Sequence, residues 1–476
     1  MAVLLWLPVL GPAVLAALLG WRHRHPYTHV VPVAAALLVL GCGVALVARR
    51  EVISSWVLRA DATASYMVLC VGAVAVVALW GGLSARAMGG RSDALVCAFL
   101  AAMSLAVLSD NLGVMWVAVE ATTIATAFLV GHAGDRGATE AAWKYVVLGS
   151  VGVAIAFLGI VLLYASTGAT PTLSWAALTG GHVVLSPHLA RAGIALAVLG
   201  FATKAGLAPM HSWLPDAHSQ APAPVSGLMS GVLLSVAMYA ILRVESVSAA
   251  HIGVGLVRGL LVAAGLLSLV VASLLTLTQR DYKRLLAYSS IEHMGVIALG
   301  VGSGTTLGLV AALLHILAHG IVKAAMFVVA GRVRNVTGTA RIARVTGLLS
   351  TRPDLGRQLL VGSTALLGFP PHLTFFTEVA VLVALVQARL WWAAAAAGVL
   401  LLVAFVGISR QVLRMTLGTA SPHRFPPEHA LVDDPPSRLR STPVALALVA
   451  SAVLGFLALP LAPVLEAAAA ALGVRP

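Results

Sequence analysis

The chain has 476 residues, of which 60% are hydrophobic and 10% are charged, and its mean hydropathy is +0.98. These values lie far outside the range of soluble domains and indicate a protein that crosses the membrane several times. The formal net charge of +13 comes from basic residues scattered through short loops, a pattern that the positive-inside rule explains better than nucleic-acid binding does.

The apolar runs predict about fourteen transmembrane helices, because a helix needs about 20 apolar residues to cross the bilayer. The first run lacks the basic n-region of a cleavable signal peptide, so it is interpreted as the first span. We expect an all-α polytopic protein with a single transmembrane domain over residues 1–476. The predicted spans are 2–19, 29–48, 62–82, 93–109, 112–131, 142–165, 190–216, 222–243, 252–278, 285–302, 306–331, 358–388, 390–413 and 442–468.

Basic residues in the loops predict the orientation. With both termini outside, twenty basic residues are assigned to the inner side and eight to the outer side, and the two left unassigned, Lys204 and Lys323, lie within spans. This asymmetry follows the positive-inside rule, so we expect both termini to lie outside. The inner set comprises Arg22, Arg24, Arg86, Arg91, Arg136, Lys144, Arg280, Lys283, Arg284, six arginines in 332–357 and five in 410–440.

The three cysteines offer no redox centre. Cys42, Cys70 and Cys97 lie in apolar runs, and none has the spacing of a zinc or iron–sulfur motif. We therefore expect neither a metal site nor a cofactor in this chain.

The seventh predicted span is too long and contains a helix break. In its sequence TKAGLAPMHSWLP, Gly206 and Pro209 follow directly after Lys204. Glycine and proline at these positions predict that the helix ends there. The lysine beside the break is informative, because a buried lysine can release its proton whereas arginine stays protonated.

The twelfth predicted span has a similar break. In LLGFPPHLTFFTE, Gly368, Pro370 and Pro371 precede Glu378. The segments GLAP and GFPP stand five spans apart, and an odd number of spans inverts the direction of the chain. This pattern is expected of an inverted repeat whose broken helices mark the ion pathway.

The eleventh span carries three titratable groups on one helix face. His315, His319 and Lys323 are four residues apart, so they form a polar stripe about 12 Å long. Imidazoles titrate near neutrality and have two nitrogens, so the stripe predicts a proton relay. In a simpler alternative, the histidines only form hydrogen bonds between helices. A zinc site is a third reading, but no third ligand is evident and the lysine is unfavourable.

Two carboxylates complete the set of intramembrane charges. A charge at mid-membrane costs at least ~2.5–3.5 kcal/mol, so each requires a partner, water or a function. Glu120 is expected to pair with Lys204, whose proton would be released if the carboxylate moved away. Glu378 is expected to accept protons toward the outside. The alternatives are a static ion pair for Glu120 and a helix-capping carboxylate for Glu378.

Other polar residues give weaker indications. Glu292 and His293 in AYSSIEHMG could belong to an inner proton entrance, and structural hydrogen bonding is equally plausible. The residues His211, Asp216 and His218 are interpreted as scaffolding at the inner surface. The charges of QRDYKR are interpreted as an inner anchor. Ordinary loop or helix-end charges are expected for Asp61, Asp110, Asp135 and Glu140.

Four ordered motifs resemble a known superfamily. They are WVAVEATTIATAFLVG, GFATKAGLAPMHSWLPDAHSQAPAPVSG, QRDYKRLLAYSSIEHMG and LHILAHGIVKAAMFVVAG. Together they resemble the antiporter-like membrane subunits of respiratory complex I, Mrp-type cation/proton antiporters and membrane-bound [NiFe] hydrogenases. Within that superfamily, APAPVSGLMSGVLL and YSSIEHMG are most similar to the hydrogenase-4 component F branch, which is related to formate hydrogenlyase subunits.

The resemblance implies fourteen helices in two inverted five-helix repeats, with helices 7 and 12 broken. The repeats would cover 93–243 and 252–413, with 442–468 as the last helix. It also implies a hydrated axis through which protons, or alternatively sodium ions, cross the bilayer. The residues it places there are Glu120, Lys204, His315, His319, Lys323 and Glu378. Many relatives have a titratable group in the eighth span, where this chain offers only Ser230 and Ser235.

The resemblance also implies partners and a location. The chain would belong to a multi-subunit oxidoreductase in the bacterial inner membrane, of the hydrogenase or NADH dehydrogenase type. Fe–S clusters and a NiFe centre or flavin would reside on partner subunits, since this chain has no redox centre of its own. We expect a proton-translocating subunit. The alternatives are a subunit of an Mrp-type Na⁺/H⁺ antiporter and a structural or ion-coupling partner of another transporter.

Overall fold

A computed structural model describes residues 2–21, 28–83, 89–168, 170–419, 438–457 and 461–473, with backbone only for 438–440. The predicted inner residues Arg22, Arg24, Arg86 and Arg424 lie outside the described residues. A short hairpin, β1 (Ile53–Ser55) and β2 (Leu58–Ala60), pairs Ile53 with Ala60. Every other regular element in the described part of the chain is helical.

Eleven α-helices lie in the described residues of the first half of the chain. They are α1 (Val3–Trp21), α2 (Val31–Arg49), α3 (Ala62–Gly82), α4 (Gly89–Leu108), α5 (Leu112–Val130), α6 (Arg136–Ser166), α7 (Trp175–Thr179), α8 (Pro187–Lys204), α9 (Trp213–Gln220), α10 (Ala223–Leu228) and α11 (Leu234–His251). A π-helical turn, Met229–Leu233, joins α10 to α11. Short 3₁₀ turns occur at Thr28–Val30 and Gly131–Ala133.

In the second half, the part that the structure describes forms nine α-helices. They are α12 (Gly255–Thr278), α13 (Tyr282–Gly302), α14 (Thr306–Thr337), α15 (Leu348–Thr351), α16 (Pro353–Leu366), α17 (Leu373–Gln387), α18 (Trp391–Leu417), α19 (Arg438–Phe456) and α20 (Ala462–Ala471). A 3₁₀ turn, Ile342–Arg344, follows α14.

Eleven helical stretches among the described residues are long and apolar enough to cross a membrane, so the protein is a polytopic, mostly helical membrane protein. Each of them overlaps one predicted span. The seventh, twelfth and fourteenth predicted spans are instead divided into shorter helices. For the fourteenth, the prediction of one helix over 442–468 is wrong, because α19 ends at Phe456 and α20 begins at Ala462. Pro463 lies in the first turn of α20, where its missing N–H is tolerated.

The seventh and twelfth spans break at glycines in the left-handed conformation. Between α8 and α9, Gly206 has φ +72°, and between α16 and α17, Gly368 has φ +63°. Residues with a Cβ rarely adopt this conformation, which explains the glycines. The Ala208–Pro209 and Pro370–Pro371 peptide bonds are both cis. The backbone N–H of Ala208, freed by the first break, donates to Ser268 Oγ at 2.9 Å.

Helix α14 lies at the centre of the bundle. It packs against α3, α10, α13, α16, α17 and α19. Where it crosses the π-helical turn, a Cβ on Gly320 would lie 2.8 Å from the carbonyl oxygen of Gly231, so the two backbones touch. Small residues permit such close crossings in membrane proteins. This crossing brings the eighth span against the titratable face of α14.

One end of the bundle is basic. There Tyr282 N–H donates to the Ala340 carbonyl, and Ile342 N–H donates to the Arg280 carbonyl. These bonds join the start of α13 to the segment after α14. We call this end, which carries Lys144, Arg280, Arg284, Arg334 and Arg341, the basic end of the molecule.

The opposite end holds a buried ion pair that the sequence analysis missed. Asp61 caps α3 and accepts from both terminal nitrogens of Arg243, at 2.8 and 2.6 Å. Arg243 is fully buried, lies 3.8 Å from the Trp175 ring centroid and donates to Tyr239 at 2.9 Å. Burial alone would raise the pKa of Asp61, but the charge and hydrogen bonds of Arg243 lower it below the usual value. Helix α11 therefore continues to His251 instead of ending at residue 243.

Candidate functional site

Lys204 occupies the last position of α8, directly before the break. Its side chain is fully buried, and its Nζ donates to Thr123 Oγ1 at 2.8 Å and to Tyr145 OH at 2.5 Å. The ammonium also lies 4.4 Å from the centroid of the Tyr145 ring. Hydroxyl and aromatic groups on α5 and α6 thus solvate a cation that the apolar surroundings alone could not accommodate.

Glu120 reaches Lys204 only through Thr123. The carboxylate accepts from Thr123 Oγ1 at 3.2 Å and from Ser150 Oγ at 2.8 Å. In the described part of the chain, no oxygen of Glu120 lies within 4.0 Å of the lysine nitrogen, so the direct ion pair expected from sequence is absent. Because Thr123 has one hydroxyl proton, it can donate to Glu120 while its oxygen accepts from Lys204. The pair is therefore coupled through a hydroxyl group.

Lys323 forms the C-terminal end of the polar stripe on α14. It is fully buried, and its Nζ donates to the Leu286 carbonyl at 2.7 Å and to Ser289 Oγ. Glu292 stabilises the lysine charge electrostatically. One oxygen of Glu292 has no hydrogen-bond partner in the structure. All these groups lie on α13, so the lysine faces that helix.

Two histidines form the centre of the site. His293 Nδ1 lies 3.0 Å from His315 Nε2, and His315 Nδ1 lies 2.8 Å from Thr377 Oγ1. The Thr377 hydroxyl group donates its proton to the carbonyl oxygens of Leu373 and Thr374, at 3.0 and 2.9 Å. Thr377 Oγ1 therefore accepts from His315 Nδ1–H, and a neutral His315 accepts from His293 Nδ1–H. This assignment of protons follows from the hydrogen-bond network.

His319 and Glu378 flank the histidine pair. The His319 ring centroid lies 5.1 Å from that of His293, and both of its nitrogens lack a partner in the structure. Glu378 Oε1 lies 3.8 Å from His293 Nδ1. A Cβ on Gly368 would collide with Glu378 Oε2, so the second helix break directly adjoins this carboxylate. The stripe on α14 thus faces titratable groups on α13 and α17.

The same cluster contains a set of three possible metal ligands that differs from the His315/His319 pair considered from sequence. One ligand atom each from His293, His315 and Glu378 lies within 4.8 Å of the other two. This spacing is compatible with a divalent cation. Lys323 stays an unfavourable neighbour for such an ion, because its positive charge acts on His293. The expectation that the chain holds no metal stays a prediction.

Glu292 and His293 lie in the middle of α13. His293 contacts His315 and Glu378, and Glu292 acts electrostatically on both Lys323 and Glu378. About ten residues separate these groups from the start of α13, which corresponds to roughly 15 Å along a helix. They lie within the buried titratable cluster, and the entrance role expected from sequence stays a prediction.

His218 is a buried residue that the sequence analysis placed on the surface. It is fully buried in α9, its ring lies 5.2 Å from that of Phe327 on α14, and neither ring nitrogen has a partner in the structure. The charges of Lys283 and Lys323 both act on it. Its spacing of four residues from Leu214 places it on the same helix face as that buried apolar residue. This spacing is the sequence feature from which the burial of His218 could have been predicted.

Serines lie where the eighth span lacks a titratable group. Ser230 Oγ and Ser290 Oγ are 2.7 Å apart, and this bond joins the π-helical turn to α13. Ser235 instead donates to the carbonyl of Gly231 at 3.5 Å. Among the described residues, no direct hydrogen bond joins Lys204 and its partners to Lys323 and its partners. His218 connects the two groups spatially, because it lies on the broken span of Lys204 and packs on α14.

Asp216 lies at the basic end, as expected. It forms ion pairs with Lys144 at 3.2 Å and with Arg284 at 2.8 Å. Lys144 also pairs with Glu140 at 2.7 Å, and that pair is largely exposed. Exposed pairs of this kind contribute little to stability. Lys283 differs from these anchors, because it is only 2% exposed.

Comparisons with known proteins agree on one family. Residues 109–404 match the family model described as NADH:quinone oxidoreductase/Mrp antiporter, TM. A hydrogenase-4 component F homolog from Methylacidiphilum infernorum is 41% identical over 290 residues, which cover 60% of this chain and 61% of that protein. Hydrogenase-4 component B from Escherichia coli is 32% identical, over 71% of this chain and 53% of the relative. The aligned regions thus span about half to three fifths of these two relatives.

One relative and two solved structures match over most of their length. NADH-quinone oxidoreductase subunit N from Desulforudis audaxviator is 31% identical over 79% of both chains. A chain of the membrane-bound sulfane sulfur reductase, an archaeal respiratory membrane complex, superimposes with a TM-score of 0.88 and 25% identity, over 98% of this chain and 96% of the other. A chain of the Mrp complex from Dietzia sp. has the same fold, with a TM-score of 0.86 and 21% identity, over 99% and 97%.

Proposed function

The chain belongs to the NADH:quinone oxidoreductase/Mrp antiporter transmembrane family, and on this premise we propose that it conducts protons as a subunit of a membrane oxidoreductase. The superfamily expected from the four sequence motifs is thereby confirmed. Relatives named as subunits of hydrogenase-4 and NADH-quinone oxidoreductase support an antiporter-like role within such a complex.

The hydrogen-bonded pair of His293 and His315 is the observation that carries the proposal. A shared proton between two imidazoles can move in either direction, because each ring can take one proton and release another. Glu378 lies on one side of the pair, and His319 and Lys323 lie on the other. These groups are closely spaced and buried. Such a row is costly to maintain in a membrane unless it transports charge.

The proposed path has two parts. In the first part, Glu120 and Lys204 interact through Thr123, so a movement of the carboxylate changes how firmly the lysine holds its proton. In the second part, Lys323 exchanges protons with His319, and the histidine pair passes them to Glu378. His218 lies between the two parts, and ordered water is expected to complete the connection.

We also propose the fourteen-helix architecture with two inverted five-helix repeats, over 93–243 and 252–413. Eleven uninterrupted spans, the broken pairs α8/α9 and α16/α17, and α19 give fourteen crossings. The matched positive φ angles of Gly206 and Gly368 support the correspondence of the two breaks. The excess of basic residues at one end supports an orientation with both termini outside, in the inner membrane of a bacterium.

The partners would be other membrane subunits of a hydrogenase-type or complex I-like assembly. The electron-transfer groups, Fe–S clusters with a NiFe centre or a flavin, would belong to those partners. The redox reaction of the partners would drive the charge movements in this chain. No role with nucleic acid is proposed.

The proposal predicts that Lys204→Ala and Glu120→Gln each slow redox-driven proton pumping by at least about tenfold, since each removes a proton-transfer group. Pumping is measured as acidification of vesicles that contain the intact complex, and electron transfer is measured with an uncoupler present. Glu140→Gln is the matched control, because it makes the same chemical change at an exposed carboxylate. Unchanged pumping in both site variants would overturn the assigned path.

The same vesicles test the Na⁺/H⁺ antiporter alternative. If Na⁺ gradients drive proton movement without electron transfer, the chain acts as an exchanger subunit. If pumping follows electron transfer and is independent of Na⁺, the oxidoreductase assignment stands.

A further inference from the structure

A cavity large enough for several water molecules opens at the basic end of the molecule. Its volume is about 290 Å³, and its polar lining consists of His132, Gln220, Lys283, Arg332, Arg334 and Asn335. A buried water needs only about 10–15 Å³ of such volume, so the cavity can hold a cluster of waters. Exposed Ala133 and half-buried Gln220 and Asn335 form part of its wall, so the cavity communicates with the surface.

Lys283 is the buried titratable group of this cavity. It is only 2% exposed, although it lies in the second position of α13 at a charged end of the bundle. Its Nζ donates to the carbonyls of Ser219 and Ala221, at 2.9 and 2.8 Å. These carbonyls belong to the C-terminal end of α9, which attracts cations. Two of the three ammonium hydrogens are thus used in these bonds.

The charged groups around Lys283 are mostly basic. Arg332 and Arg334 reach the cavity from α14, and His132 reaches it from the turn after α5. Asp281, the N-cap residue of α13, is the nearby acidic group on its own element. Among the described residues, no carboxylate oxygen lies within 4.0 Å of the Lys283 nitrogen. The lysine is therefore held by neutral carbonyls and can lose its proton without breaking an ion pair.

The lysine connects the cavity to the proposed proton path. Ser219, whose carbonyl accepts from Lys283, follows His218 directly in α9. His218 packs on Phe327, which lies one helical turn from Lys323 on α14. The charges of Lys283 and Lys323 both act on His218. His218 therefore lies within electrostatic reach of both Lys283, at the cavity, and Lys323, in the proposed path.

We propose that this cavity is the aqueous entrance of the proton path and that Lys283 is its first proton carrier. The ammonium of Lys283 gives a proton toward His218, and the neutral amine then takes one from cavity water. The inference rests on the proposed proton-conducting function. It assigns the entrance to the start of α13, about 15 Å from the position of Glu292 and His293.

The variant Lys283→Arg tests whether Lys283 carries protons or only contributes a positive charge to the structure. Arginine keeps the positive charge and the hydrogen-bond donors but does not release its proton. We expect this variant to assemble in normal amounts and to transfer electrons at the normal rate with an uncoupler, while proton pumping falls by at least about tenfold. Lys144→Arg is the matched control, because it makes the same change at an exposed lysine. It is expected to pump normally.

Lys283→Ala provides a second test, because the cavity can admit a small amine. Methylamine added to vesicles containing this variant is expected to restore part of the pumping, in proportion to its concentration. Pumping is measured here as the membrane potential driven by electron transfer, because methylamine is a permeant base that collapses a pH gradient. Tetramethylammonium, a cation without a transferable proton, is expected to restore none. Arg334→Gln, which alters the same cavity wall, is expected to keep at least half of the pumping rate.

The outcomes distinguish the entrance from the path as a whole. Normal pumping by Lys283→Arg, or failure of methylamine to restore Lys283→Ala, would overturn the carrier role of Lys283. If Lys323→Arg abolishes pumping in the same preparation, the proposed function stands without that entrance. If Lys323→Arg also pumps normally, the proposed function itself is overturned.

Discussion

At the scale of single residues, the site depends on hydroxyl groups placed between charged ones. Thr123 joins Lys204 to Glu120, and Thr377 fixes which nitrogen of His315 carries a proton. Sequence reasoning identified the charged residues, because a charge inside an apolar run is conspicuous. It could not identify the threonines, since a threonine in a transmembrane helix usually bonds to its own backbone.

Thr123→Val tests the hydroxyl bridge, because valine has nearly the same shape and no donor or acceptor. Lys204 loses one of its two hydrogen-bond acceptors, so we expect a loss of about 1.5–3 kcal/mol in stability and a several-fold slower rate of proton pumping. Thermal unfolding of the purified complex and vesicle acidification measure the two effects. Thr139→Val, at an exposed threonine, serves as the control. Equal pumping by both variants would show that the bridge is dispensable.

At the scale of elements, each of the two helix breaks places polar backbone groups next to a charged side chain. Sequence reasoning located both breaks, because glycine and proline act locally on helix geometry. It did not locate the division of the last predicted span. Its prolines lie in a largely apolar run whose only charged residue is Glu466, so the run resembled a single crossing.

Gly368→Ala is expected to impair the second break. Its φ of +63° would strain any residue with a Cβ by about 1–2 kcal/mol, and the new methyl group would meet the Glu378 carboxylate. We therefore expect both lower stability and slower pumping. Gly253→Ala provides the control, because Gly253 has φ +82° and open space around it. It should lose stability similarly while pumping at the normal rate, and a pumping defect in both would point to strain alone.

At the scale of the whole molecule, ion pairs between distant segments hold the bundle together. Asp61 and Arg243 are 182 residues apart in sequence and join α3 to α11. From sequence, Asp61 had been interpreted as an ordinary loop or helix-end charge, and Arg243 was only the last residue of the eighth predicted span. A short-range pattern gives no indication of such a pair, because neither residue has a charged partner one helical turn away.

Asp61→Asn is expected to destabilise the protein by about 3–5 kcal/mol, because it leaves the buried charge of Arg243 unpaired. Adding Arg243→Met should recover much of that loss, since the double variant buries no charge. Because the pKa of Asp61 is lowered, its contribution is present above the ordinary carboxyl pKa of about 3.9 and is lost as pH falls through the folded value. The difference in Tm between the natural protein and Asp61→Asn should therefore be constant between about pH 6 and pH 8. A double variant less stable than Asp61→Asn would contradict the pairing.

The sequence by itself determined the membrane-spanning class, most of the spans, both functional helix breaks and the positions of the intramembrane charges. These features depend on local chemistry: about 20 apolar residues cross a bilayer, and glycine and proline interrupt a helix wherever they occur. Only the tertiary structure decided which charges meet. The bonds of His293 to His315, of Lys204 to Thr123 and of Lys283 to Ser219 join residues 22, 81 and 64 positions apart. Such contacts depend on how helices cross and rotate against one another, and side-chain patterns within one helix do not specify that geometry.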